Sequence, residues 1–157
     1  MSLYIKSFFL LLVIVSCSSG GHTKDRGKDY FLEKYIAYVK DIESSKYPKN
    51  IEEHRTKEFI DYFETKYGEI LPHHLGWDVQ ASFMKRSSIK NTFFSKDGLD
   101  SCITLIGKNF QDIPMVLDVR FVEESEDWRI EKFHGKIFES PVEPRYPNKA
   151  SCPDKEE

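Results

Sequence analysis

Val116-Leu117-Asp118-Val119-Arg120-Phe121-Val122 and, after a short acidic break, Asp127-Trp128-Arg129-Ile130-Glu131-Lys132-Phe133 form the stretch on which the fold turns. Both runs are rich in β-branched and aromatic residues, which suit a pleated, half-buried surface. Side chains alternate across a strand, so Met115, Leu117, Val119 and Phe121 share one face while Val116, Asp118, Arg120 and Val122 share the other. The first face is apolar and suits packing on helices; the second is mixed. Four such runs, at 89–95, 99–107, 114–123 and 127–137, are separated by Lys96-Asp97-Gly98, by 109–112 and by 124–126, and predict four strands. Asp97-Gly98 is a hairpin signal, because glycine adopts the left-handed backbone of a tight turn without steric cost.

Upstream the period changes from two to about 3.6. Leu32, Tyr35 or Ile36, Val39 and Ile42 recur at helical spacing and predict a first helix starting near Tyr30. After a break at Lys46-Tyr47-Pro48, Asn50 and Glu53 have capping-box spacing. Phe59, Tyr62, Phe63 and Tyr67 then mark one side of a second helix, which Gly68 is placed to end. Pro72 and Gly76 punctuate a mixed segment at 69–88, predicted as a turn and a short third helix. Helices followed by an antiparallel meander predict an α+β domain over 30–138, with N-terminal helices covering one side of a curved antiparallel sheet. The 12 Phe, 8 Tyr and 2 Trp offer ample apolar area for one core.

In that arrangement the chain resembles the cystatin-like cone of the nuclear transport factor two family, and in particular small bacterial lipoproteins built on that fold. The resemblance rests on the closing strand pair quoted above, where Trp128 and Ile130 fall on one face two residues apart. It covers roughly 30–138 and implies fold more than function. Enzymes on this fold place acid and base groups inside the cone, often an Asp and a His from different elements, and no motif here assigns such a pair. Asp118 and Arg120, two apart on one strand face, form with Trp128 a candidate pocket. Their ordinary reading is a cross-strand or surface ion network.

The N-terminus carries a second resemblance. Lys6 precedes the apolar run 8–15, whose eight residues would rise only about 12 Å as a helix, far less than a bilayer core requires. The segment therefore reads as the apolar part of a secretory signal. Ile14-Val15-Ser16-Cys17 closes it and resembles a bacterial lipobox. That resemblance implies a signal peptide at 1–16, cleavage between Ser16 and Cys17, and lipidation of Cys17. It also implies partnership with the membrane through that anchor. Ser18 stands where an aspartate would favour inner-membrane retention, which implies the outer membrane, facing the periplasm, in a Gram-negative host. In a Gram-positive host the anchor would place the domain on the outer face of the single membrane. Residues 18–29, polar and glycine-containing, read as a tether with a reach of about 20 Å.

Lipidation of Cys17 would leave Cys102 and Cys152, and an oxidising compartment favours a bridge between them. A link across about fifty residues is worth roughly 4 kcal/mol in the chain-entropy account. It would staple the tail at 139–157, where Pro141, Pro144, Pro147 and Pro153 exclude regular helix. The formal net charge of −3 and the lack of a basic block argue against nucleic acid as a partner.

Histidine and serine add little chemistry. His73-His74 with Asp78 lacks a third signalled metal ligand. His54 and Glu58 read as an exposed pair one turn apart on the second helix, and His134 as a surface residue of the last strand. Ser44-Ser45 and Ser87-Ser88 read as polar turns, and there is no Gly-x-Ser-x-Gly elbow, phosphate-binding glycine loop or Cys-x-x-Cys. The expectation is a non-enzymatic interaction module in the cell envelope with a protein partner, such as an immunity or envelope-complex accessory protein, and no cofactor or metal. The other class is a cone-type enzyme or small-ligand carrier using Asp118, Arg120 and Trp128.

Overall fold

A computed structural model describes residues 26–44, 50–69, 83–138 and 145–154. Helix α1 spans Lys28–Glu43, with Asp29 in its first turn and Lys40 in its last, each complementing the helix dipole. Its core face is Phe31, Tyr35, Tyr38 and Val39, all buried; Leu32, Ile36 and Ile42 flank that face and are only partly covered. The helix is thus rolled toward its aromatic residues, which bury more area than the aliphatic residues beside them. Of the two alternatives at the second turn, Tyr35 is the core residue.

A single 3-10 turn follows at Ile51–Glu53, and helix α2 spans Lys57–Tyr67. The cap of α2 is Thr56, whose Oγ1 accepts the Phe59 N–H at 3.3 Å, whereas Asn50 makes no side-chain cap bond. The expected Asn50–Glu53 capping box is therefore corrected, and the reason is tertiary. The Ile130 N–H donates to the His54 carbonyl at 2.6 Å and the Thr56 N–H donates to the Ile130 carbonyl at 3.3 Å. Residues 54–56 are held against a strand, so helix cannot begin before Lys57. Gly68 ends α2 as expected, with φ of 80° and its N–H bonded to the Glu64 carbonyl at 2.8 Å.

Four strands follow: β1 (Asn91–Asp97), β2 (Asp100–Lys108), β3 (Pro114–Glu124) and β4 (Asp127–Ile137). They pair antiparallel in the order β1-β2-β3-β4, an open meander. The last three strands match their predicted spans to within a residue. β1 starts two residues later than predicted, because Arg86–Ser88 forms a 3-10 turn just before it. Of the expected third helix, residues 70–82 lie outside the described residues, along with Pro72, His73, His74, Gly76 and Asp78. Gly107 permits a close approach of the Arg86–Ser88 turn to β2: a Cβ would meet the Ser88 carbonyl oxygen at 2.6 Å.

The chain is an α+β domain, with helix packed on one side of a four-stranded antiparallel sheet. Ile103, Leu105, Met115, Leu117, Val119, Phe121, Trp128 and Ile130 face α1 across the core. Phe31 sits at its centre, with ring centroids 5.0 Å from both Phe121 and Trp128 and 5.4 Å from Phe94. Tyr38 stacks on Phe133 at 5.5 Å. The Tyr35 hydroxyl accepts the Met84 N–H at 2.8 Å and lies 3.2 Å from the Met84 carbonyl, tying the segment before β1 to the helix. Burial pushes this hydroxyl above the ordinary tyrosine range. Between β3 and β4 the register shifts at Arg120/Phe121, so Glu131 is an extra residue on β4. Such a bulge bends the strand and re-aims its side chains.

Candidate functional site

The far face of the sheet carries the chemistry that the strand pattern placed there. Cys102 pairs with Arg120 and Thr104 with Asp118 across β2 and β3, so these four side chains sit together. The C-terminal residues 151–154 cross this face as a strap. A disulfide joins Cys102 to Cys152, with the Cα atoms 5.3 Å apart. The Ser151 N–H donates to Thr104 Oγ1 at 2.8 Å, and Thr104 Oγ1 in turn donates to Asp118 Oδ1. One Arg120 nitrogen donates to the Pro153 carbonyl at 2.9 Å, and Lys132 Nζ donates to the Asp154 carbonyl at 3.0 Å.

Arg120 is also gripped from both sides of the strand. Its second terminal nitrogen bonds the Asp100 carboxylate. Its Nε lies 2.8 Å from Glu131 Oε2, a close ion pair whose N–H is not aligned for a hydrogen bond. The bulge on β4 brings Glu131 to this position. Burial pushes the Asp118 carboxyl above its ordinary value, opposed by the Thr104 hydroxyl and by His134, whose Nδ1 is 3.7 Å away. His134 itself is exposed, as the sequence suggested.

Trp128 is not part of this constellation. It pairs with Glu123, which has the strand parity of Phe121, and it packs edge-on against Phe31 on the helix side. The structure brings Asp118 and Arg120 together but puts the sheet between them and Trp128. As a three-residue pocket the expected set is corrected by strand parity.

No protein-family model matches the chain, and comparison with the curated proteins and with the solved structures finds no match.

Two further clusters lie on the helix side. Asp127, at the start of β4, accepts from Lys34 Nζ at 2.7 Å, from the Tyr30 hydroxyl at 2.9 Å, from Arg129 at 2.5 Å and from the Trp128 N–H at 2.8 Å. Burial pushes its carboxyl up, but these bonds outweigh burial and hold it far below the ordinary carboxylate range. His54 is not on the exposed side of α2 with Glu58. It is buried ahead of the helix, with Nε2 2.8 Å from Asp41 Oδ2, its ring meeting Tyr38 edge-on at 5.6 Å. Asp41, Glu53 and His54 each offer a metal-ligand atom, all within 4.8 Å of one another, and the contact between Asp41 and His54 accounts for two of them.

Ser16 and Cys17 lie outside the described residues, and no described helix is long and apolar enough to cross a membrane. The strap contacts and the Asp127 hub were missed in the sequence. For Asp100 the available signal was its position two residues before Cys102 on the same strand face. The contacts to Pro153 and Asp154 use backbone carbonyls, which no residue type announces.

Proposed function

We propose that the protein is a non-enzymatic interaction module, lipid-anchored at Cys17 and displayed in the cell envelope. Its domain would be a filled variant of the cystatin-like cone of the nuclear transport factor two family. One observation carries this reading: the space between α1 and the sheet is occupied by rings. Phe31, Tyr35, Tyr38, Phe121 and Trp128 close it, and all but Trp128 are fully buried. A cone filled in this way holds no substrate, so recognition falls to its outer surfaces. Asp118 and Arg120, the acid and cation the alternative enzyme reading needs, are engaged by the strap on the opposite face.

The Cys102–Cys152 bridge is compatible with export, since it suits an oxidising compartment. The partner is a protein of the envelope, reached from the outer membrane in a Gram-negative host. An immunity or envelope-complex accessory role is the specific form proposed. Metabolic labelling with a palmitate analogue tests the anchor: Cys17→Ala should lose the label and leave the membrane fraction. A Cys17→Ala chain that retains label and stays with the membrane removes the anchoring. Turnover of any small substrate that is lost in Asp118→Asn without loss of folding removes the non-enzymatic reading.

A further inference from the structure

A groove of about 530 Å³ runs beside the second half of α1 and is independent of both the sheet face and the Asp127 hub. Its accessible apolar walls are Ile36 of α1 and Phe110 from the loop after β2, both half-buried, over a floor of Val39, Met84 and Tyr35, which are buried. The base is rigid, because both polar groups of the Met84 backbone are tied to the Tyr35 hydroxyl. The rim differs in kind. Lys40 contributes one cation from α1, and the Lys85-Arg86 pair contributes two from the segment before β1, against the single acid Glu43. This excess of positive charge sits on a chain whose formal net charge is −3. Lys40 and Arg86 make no ion pair among the described residues, and Lys85 is 42% exposed, its Nζ 3.8 Å from an Asp112 carboxylate oxygen.

The geometry points to a binding site for a single-chain amphiphile with a carboxylate head, the acyl chain lying between Ile36 and Phe110 and the head meeting Lys40, Lys85 and Arg86. Each part of the groove excludes a different alternative. Apolar walls give a simple inorganic anion nothing to cover, and a three-cation rim disfavours a neutral hydrocarbon. The volume falls within the range of small-molecule sites and is far too small for a folded partner. Cationic groups around an otherwise apolar cleft raise the local concentration of anions and select among chains of equal length by their head. The site does not depend on lipidation of Cys17, so the two readings can fail separately.

Photolabelling decides the matter. The full chain is exposed in phosphatidylcholine nanodiscs to a diazirine-bearing dodecanoate, and the labelled peptides are mapped. Label should concentrate on the peptides containing Ile36, Val39 and Phe110 and be displaced by excess unlabelled dodecanoate. The double reversal Lys85→Glu with Arg86→Glu, at exposed or half-exposed positions, should cut that labelling about tenfold while thermal unfolding stays unchanged. The matching dodecanol probe should label the wild type no better than the dodecanoate probe labels the reversed variant. Label spread evenly over apolar peptides, equal labelling by the alcohol, or indifference to the charge reversal would each overturn the proposal.

Discussion

The two faces of the sheet are stabilised by different means. On the helix side, Phe31, Phe94, Phe121 and Trp128 meet ring to ring, and the apolar area comes from residues near in space and mostly remote from charge. On the strap side, the contacts are one disulfide, a buried guanidinium with two carboxylates, and a hydroxyl relay from Ser151 through Thr104 to Asp118. Burial of apolar area is non-directional and tolerant of small shifts. A buried ionic network tolerates none, because each partner left unpaired keeps its full desolvation cost. The helix side is thus expected to dominate the stability of the domain, and the strap side to define which surface it presents.

The largest break in this comparison should come from Phe31→Ala. It removes the ring at the centre of the core and leaves a cavity between α1 and the sheet, which costs about 3–5 kcal/mol. Urea unfolding followed by circular dichroism measures it, and a loss below 1 kcal/mol would mean that the rings are not the main support. Next comes Cys152→Ser, which frees the strap and opens the 50-residue loop closed by the bridge to Cys102. The expected loss is about 2–4 kcal/mol. Its signature differs from that of Phe31→Ala: amide exchange should rise in the strap and at Thr104, with α1 still protected at conditions that keep the chain folded.

The two perturbed carboxylates sharpen the contrast through pH. Asp127, on the helix side, is held below its ordinary value of 3.8, so its contribution to stability is present above that value and is lost as pH falls toward its depressed one. Asp118, under the strap, is raised above 3.8, so the folded state binds its proton more tightly. The stability tied to that proton is present below the ordinary value and is lost as pH rises through the raised one. Asp127→Asn should therefore destabilise at pH 7, and less so at pH 3. Asp118→Asn should gain on the wild type between pH 4 and pH 7, since an amide keeps an acceptor for Thr104 without the buried charge. Unfolding midpoints from pH 3 to pH 7 give both signs, and parallel curves for the two variants would end the distinction.

Much of this contrast was legible in the sequence. Alternation in the 114–123 run gave both faces of β3, and the acidic or glycine-containing breaks located the turns. The pairing of Cys102 with Cys152 was legible too, but only through elimination once Cys17 was assigned to lipid. What escaped has common physical causes. Tyr35 and Ile36 are both apolar, so periodicity alone could not say which way α1 rolls. His54 finds Asp41 thirteen residues earlier, and Arg55 to Thr56 lie along β4, contacts that override a well-spaced capping box. Trp128 lies on another strand from Asp118 and Arg120, and only the pairing of Glu123 with Trp128 across the two-residue turn decides that it faces the helix. The groove draws on three segments distant in sequence, and no local pattern marks it.

The smallest predicted effect concerns the hairpin that serves both faces. Ser125 and Glu126 connect β3 to β4 with φ of 53° and 68°, a pair of left-handed residues where asparagine and glycine are the usual occupants. Both residues are exposed, and the strain of a non-glycine residue there is about 1 kcal/mol, partly offset by the extra chain entropy glycine brings to the unfolded state. Glu126→Gly should therefore stabilise by about 0.5 kcal/mol, raising the thermal midpoint by roughly 2 °C. The turn also holds register, since a slip of one residue would carry Trp128 to the strap side and expose what Phe31 packs against. The gain should accordingly appear in the rate of unfolding of both faces together, read from amide exchange at Ile130 on the helix side and at Ser151 on the strap side. A gain confined to the strap side would mean that the turn supports the faces separately.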